Sequence, residues 1–312
     1  MRVLFIGMGS IGRRHARNLA TVLHEKGESF SFAALRSRNN PLMNDIAALV
    51  GEEYFSWEEI KGHFDAIFIT NPTSLHYETL MRVQGLSHRV FIEKPVFSQE
   101  TLPQDEMKLS SSSIHYVAAP LRYTRVFRYL REHFSKEKAP VQAARAICSS
   151  YLPDWRPGTD YRMCHSAHKE MGGDVGVELI HEWDYLTLMF GMPSSVKCLS
   201  RKVSAIETTS DDIALYLAEY QNMAVSLWLD YFGRTPRREV ELYLPDEVVV
   251  GDFIAHEIRF LSSGRRIALP EDRDDFQKEE LRYFLSLASD SENENTISHA
   301  VEVMKLAKGM LL

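Results

Sequence analysis

The sequence predicts an α/β fold. Residues 1–118 should form a doubly wound parallel sheet, and residues 119–312 an α+β domain with an open, mostly antiparallel sheet. Three observations predict this. Apolar β-type runs alternate with helical patterns over the first 118 residues, a glycine-rich loop follows the first run directly, and beyond Pro120 paired strand signals flank tight turns. A length of 312 residues fits two domains at about 150 residues each.

The N-terminal runs are Val3–Ile6, Phe30–Leu35, Ala66–Thr70, Val90–Ile92 and Ile114–Ala118. Helix signals lie between them: Asn40 then Pro41 at a start, Gly51 after an end, and Ser56-Trp57-Glu58-Glu59 as a capping box. Ser110–Ser113 reads as a loop. Past Pro120 the pattern predicts a helix over Val126–Phe134. A hairpin follows, Ile213–Tyr220 and Met223–Asp230 about Gln221-Asn222, and then strands Val240–Leu244 and Val248–Val250 about Pro245-Asp246-Glu247.

Composition narrows the function. The 36 basic and 43 acidic residues leave a net charge of −7 without a Lys/Arg run, which argues against nucleic-acid binding and for a small-molecule partner. Cys148, Cys164 and Cys198 form no CxxC pair, and a reducing cytoplasmic setting is expected. No apolar run approaches the ~18 residues of a membrane span, and the opening Arg2–Ile6 run does not read as a signal peptide.

After the first run comes Gly7-Met8-Gly9-Ser10-Ile11-Gly12, then a helix-like segment through Leu19 and Leu23 that stops near Gly27. This is GxGxxG between strand and helix, a Rossmann dinucleotide fingerprint. Gly7 permits the turn, Gly9 lets a pyrophosphate approach, Gly12 lets helix and strand close, and Ser10 and Ile11 begin a helix whose N-terminus faces the anion. An NAD site usually places an acid about 20 residues further on. No acid occurs between Glu28 and Asp45, whereas Arg36, Ser37 and Arg38 offer cations and a hydroxyl to a 2′-phosphate. NADP(H) is therefore favoured, with NAD(H) as the other possibility; the same three residues also read as a solvated basic loop.

The strand ends Ile69-Thr70-Asn71-Pro72-Thr73-Ser74-Leu75-His76 and Phe91-Ile92-Glu93-Lys94-Pro95 resemble the Gfo/Idh/MocA family of NAD(P)-dependent oxidoreductases. Gly172–Asp184 resembles that family's glycine-led helix with its active-site histidine, here His181, and Phe276–Leu287 and Ile297–Leu311 resemble its closing helices. The resemblance implies that Asn71, Pro72, Thr73 and His76 line the nicotinamide end of the cleft, and that Glu93, Lys94 and Pro95 set a lysine between cofactor and substrate. It further implies a substrate that is a sugar or nucleotide sugar, and a homo-oligomer. Many members place an aspartate four residues before the histidine; Val177 stands there, which leaves Glu178 and Asp184 as candidate partners.

Physically, an ammonium at Lys94 would stabilise alkoxide charge during hydride transfer, and an imidazole beside a carboxylate suits proton exchange at the same oxygen. The helix bearing His181 should begin with Asp174 as N-cap and end at Gly191, apolar nearly all round, with Glu178, His181 and Asp184 recurring along one side. A hydrogen-bonded core His/Asp pair reads from the same pattern. Tyr151–Arg162 reads as a long loop whose Trp155, Tyr161 and Arg162 would hold a sugar or diphosphate, or would simply fasten the loop; Arg122 and Tyr123 have the same standing. Cys164-His165-Ser166-Ala167-His168 lacks a fourth ligand, and no metal is expected. Two rivals accompany the oxidoreductase reading: a glycoside hydrolase working through transient oxidation on bound NAD, and a non-catalytic dinucleotide sensor.

Overall fold

The computed structural model describes residues 1–98, 107, 109–110 and 112–310. Residue 111 of the expected Ser110–Ser113 loop and residue 311 of the expected last helix lie outside them. Two compact units are present, Met1–Pro120 with Arg273–Val301, and Leu121–Asp272 with Glu302–Leu312.

In the first unit, β1 (Arg2–Ile6), β2 (Ser31–Leu35), β3 (Val50–Tyr54), β4 (Ala66–Ile69), β5 (Arg89–Ile92) and β6 (Ile114–Val117) form one parallel sheet in the order β3-β2-β1-β4-β5-β6. The order reverses between β1 and β4, which opens a crevice at the carboxyl ends of those strands. Helices α1 (Ser10–Glu25), α2 (Asn44–Ala47) and α3 (His76–Arg82) connect the strands. The sequence-predicted runs locate five strands. β3 was not among them, since its Val-Gly-Glu-Glu-Tyr is largely exposed, and Gly51 lies inside it rather than after a helix. Near Asn40 and Pro41 the helix starts later, at Asn44, and the Ser56 capping box heads a single 3-10 turn, Trp57–Glu59.

Register builds the core. Phe5 pairs with Phe68, Phe68 with Phe91 and Phe91 with Tyr116, so one aromatic row crosses four strands with ring centroids 5.0, 4.8 and 5.1 Å apart. Such rows add stacking to apolar burial. Phe284 meets Phe68 and Phe91 edge-on from a helix late in the chain. This is why residues 273–301, which the sequence reading places in the second domain, pack within the first unit.

The second unit contributes α4 (Arg125–Phe134), β7 (Ala143–Tyr151), α5 (Val175–Glu178), α6 (His181–Phe190), β8 (Ser195–Arg201), β9 (Ile213–Glu219), β10 (Ala224–Asp230), β11 (Phe232–Tyr243), β12 (Val248–Asp252), β13 (Glu257–Phe260) and β14 (Arg266–Ala268). The chain then closes with α7 (Asp275–Ser286), which bears Phe284, and α8 (Ile297–Ala307). The eight strands run β14-β13-β12-β11-β7-β10-β9-β8, antiparallel except where β7 meets β10. Alternation gives the sheet two characters. Ala146, Cys148, Leu227, Leu229, Tyr216 and Leu242 are buried, whereas Leu199, Leu217 and Trp228 are 51%, 64% and 41% exposed. No helix among the described residues is long and apolar enough to cross a membrane.

Candidate dinucleotide and catalytic sites

The glycine loop has the geometry its spacing predicts. Gly7 holds φ +97°, and a Cβ there would lie 2.7 Å from the Asn71 nitrogen. A Cβ on Gly12 would lie 2.3 Å from the Gly7 oxygen, whereas one on Gly9 would meet nothing within 4 Å. Two glycines are thus filled by backbone, and the middle one faces open space. Thr70 Oγ1 donates to the Gly7 carbonyl at 2.6 Å, tying the end of β4 to the loop. Helix α1 begins without a side-chain cap and with no acid in its first turn, so the amides from Ser10 onward point outward beneath an uncompensated dipole. These residues fit a dinucleotide pyrophosphate.

At the end of β2, Arg36 is buried and committed. Its Nη1 donates to Glu53 Oε2 on β3, and its Nη2 to the carbonyl and, at 3.2 Å, the Oδ1 of Asn40. Ser37 and Arg38 are exposed. The expected pair of cationic forks is therefore one paired arginine and one arginine in solvent.

At the ends of β4 and β5, His76 is buried with Nε2 3.0 Å from the Asn71 carbonyl and Nδ1 3.1 and 3.2 Å from those of Pro95 and Val96. Both ring nitrogens face backbone, so His76 joins the Asn71-Pro72-Thr73 turn to the segment after Lys94. Burial pushes its basicity down. Glu93 Oε1 meets Nε2 of buried His15 at 2.5 Å, and Glu93 Oε2 accepts the Lys94 amide at 3.0 Å. Burial works against the charged carboxylate, yet the His15 hydrogen bond and the His15 and Lys94 charges hold Glu93 below its ordinary range. Glu93 is thereby fixed as an anion beside half-buried Lys94, which stands just past β5 ahead of Pro95.

In the second unit, Asp174 caps the expected helix, accepting from the Gly176 and Val177 amides at 2.8 and 3.3 Å, and Gly191 ends it. Between them the helix breaks. Gly176 seats closely on Tyr216 of β9, and Leu179 (φ −97°, ψ 37°) separates α5 from α6, which packs on β7. Glu178, His181 and Asp184 consequently do not line one continuous helix. Glu178 meets Nε2 of His165 at 2.6 Å, His181 opens α6, and Asp184 accepts both Nε and Nη2 of Arg122 at 2.8 and 2.7 Å. Arg122, read from sequence as a substrate ligand, is a buried partner of Asp184; Tyr123 is half-buried beside it.

The long loop has its own fastenings. Trp155 donates to Ser150 at 3.0 Å and packs edge-on against Tyr231, Tyr161 accepts the Glu207 amide at 3.1 Å, and exposed Arg162 pairs with Asp160 and Glu207. Among the described residues no group of three or more His, Cys, Asp or Glu is placed for a metal.

Two contributors escaped the sequence reading. His15 lies on the apolar stripe of α1 with Ile11 and Leu19, so a polar residue at helical spacing was the available signal. Glu53 had none, because its strand lacks an apolar pattern.

Comparison with known proteins bears on this arrangement. Residues 1–108 match the family model described as GFO_IDH_MocA, oxidoreductase family, NAD-binding Rossmann fold. A UDP-N-acetylglucosamine 3-dehydrogenase of Acidithiobacillus ferrooxidans is 24% identical over 270 residues, covering 85% of this chain and 78% of that protein. In fold, the chain is similar to myo-inositol 2-dehydrogenase from Lactobacillus plantarum, with TM-score 0.75, 19% identity and coverage of 99% of this chain and 95% of the other. It is also similar to a levoglucosan dehydrogenase in complex with NADH and levoglucosan, with TM-score 0.77, 14% identity and the same 99% and 95% coverage.

Proposed function

We propose that this chain, whose residues 1–108 match the GFO_IDH_MocA oxidoreductase model, interconverts a hydroxyl and a ketone on a sugar or nucleotide sugar by NAD(P)-dependent hydride transfer. The observation that carries this reading is the glycine loop: two positions closed by backbone, a middle one open, and an acid-free helix start beyond them. A bound nicotinamide supplies the hydride acceptor or donor. Lys94 holds positive charge at the substrate oxygen, and Glu93, paired with His15, accepts the Lys94 backbone amide and so fixes the backbone at the lysine. His181 serves as the proton carrier, with Glu178 or Asp184 as its candidate partner carboxylate. Because Asp184 is engaged by Arg122 and Glu178 by His165, these carboxylates act through the partners they orient.

Coenzyme choice turns on the end of β2, where Arg38 and Ser37 favour a 2′-phosphate and the Arg36 to Glu53 pairing opposes it. Exposed Leu199, Leu217 and Trp228 on the outer sheet face support a homo-oligomer, and the lack of a Lys/Arg run supports a partner that is not nucleic acid. The three unpaired cysteines support a cytoplasmic setting.

The test is a screen of nucleotide sugars and free sugars at the nicotinamide absorbance band, repeated with Lys94→Met. A substrate-dependent change that falls at least about a hundredfold in the variant, about 2.7 kcal/mol of barrier, is expected. Glycoside cleavage without net coenzyme turnover would replace the proposal with a hydrolase. Tight coenzyme binding with no turnover would replace it with a sensor.

A further inference from the structure

We propose that Glu53, on β3, is the carboxylate that reads the adenosine ribose, in place of the acid that β2 lacks, and that it makes the chain prefer NAD(H) to NADP(H). The inference rests on the dinucleotide reading above. In a sheet of this order the ribose lies at the carboxyl end of β2, where an acid accepts hydrogen bonds from its hydroxyls. The tip of β2 offers Leu35-Arg36-Ser37-Arg38 and no acid. β3, however, pairs in parallel with β2, placing Glu53 opposite Ala34 and Tyr54 opposite Leu35. The Glu53 side chain reaches the same edge, because its Oε2 accepts from the guanidinium of the residue that follows β2.

Arg36 is thereby removed as a phosphate ligand. Its side chain is 8% exposed, Nη1 is spent on Glu53, Nη2 on Asn40, and its guanidinium carbon lies 6.0 Å from the centre of the Phe55 ring. Glu53 remains 37% exposed, and among the described residues its Oε1 accepts no hydrogen bond. One oxygen holds the arginine and the other is available to a ribose hydroxyl. A 2′-phosphate in that place would meet the carboxylate as a like charge, and among the described residues at the tip of β2 Arg38 is the exposed cation.

The experiment measures dissociation constants of NADH and NADPH by calorimetry on the full chain, for the parent and Glu53→Gln. The parent is expected to bind NADH about tenfold or more tighter than NADPH, and Glu53→Gln to lose most of that ratio through weaker NADH and tighter NADPH binding. Equal or tighter NADPH binding by the parent, or an unchanged ratio in Glu53→Gln, overturns the role of Glu53 and leaves the oxidoreductase reading standing. Binding of neither coenzyme overturns both.

Discussion

Arg122 and Asp184, 62 positions apart, form a two-pronged ion pair at 2.8 and 2.7 Å with side chains only 3% and 12% exposed. Asp184 belongs to α6, which is buried nearly all round, so this pairing meets the requirement that its polar residues find partners. Removing one member takes from the other its two-pronged ion-pair partner in the core. Arg122→Met and Asp184→Leu should each lower stability by about 3–5 kcal/mol in urea unfolding, and the double variant should recover much of that loss. Strictly additive single losses would show that the two charges are solvated independently.

Gly9 and Gly12 differ in what surrounds them, and alanine should separate binding from folding. Gly12→Ala puts a methyl 2.3 Å from the Gly7 carbonyl and should lower the melting temperature, at a cost of about 1–3 kcal/mol. Gly9→Ala meets no protein atom within 4 Å, so its melting temperature should hold. Its coenzyme affinity should nevertheless fall by about tenfold or more, since the methyl occupies the pyrophosphate's approach. Equal coenzyme affinity in Gly9→Ala and the parent would place the phosphates elsewhere.

How far the sequence revealed these features depended on whether the forces were local. The runs ending at Ile6, Leu35, Ile69 and Ile92 are buried on both faces and read as continuous apolar segments. β3 is an edge strand with two exposed glutamates, so it left no periodicity, and the Arg36 partner on it was invisible with it. The cap at Asp174 and the stop at Gly191 are local signals and were legible. The break at Leu179 was not, because no glycine, proline or cap residue marks that position in the sequence. Nor does a local signal join Arg122 to Asp184, so the sequence placed them in separate roles when their chemistry is joint.

The outer face of the second sheet leaves Leu217 64% and Trp228 41% exposed on neighbouring strands β9 and β10. Apolar groups clustered this way favour a covering surface. Sedimentation should find the parent as an oligomer and a Leu217→Lys, Trp228→Lys variant as a monomer with an unchanged far-ultraviolet spectrum. A parent that sediments as a monomer at tens of micromolar would remove the homo-oligomer from the proposal.

Glu93 ties the acid stability of the first unit to His15. Its carboxyl is held below the ordinary 4.5 because the His15 hydrogen bond and neighbouring positive charge outweigh burial. A carboxyl depressed in the folded state contributes stability above its unfolded value, and that contribution is lost as pH falls through the lower folded value. His15→Leu removes the largest of the lowering influences and leaves the Lys94 amide and charge alone to oppose burial, which raises the Glu93 carboxyl. The stability gap between parent and His15→Leu should therefore be widest near neutrality and narrow as pH falls below about 4.5 in urea titrations. A gap that stays constant from pH 7 to pH 3.5 would mean that Glu93 ionises without help from His15, and that Lys94 is held in place by another group.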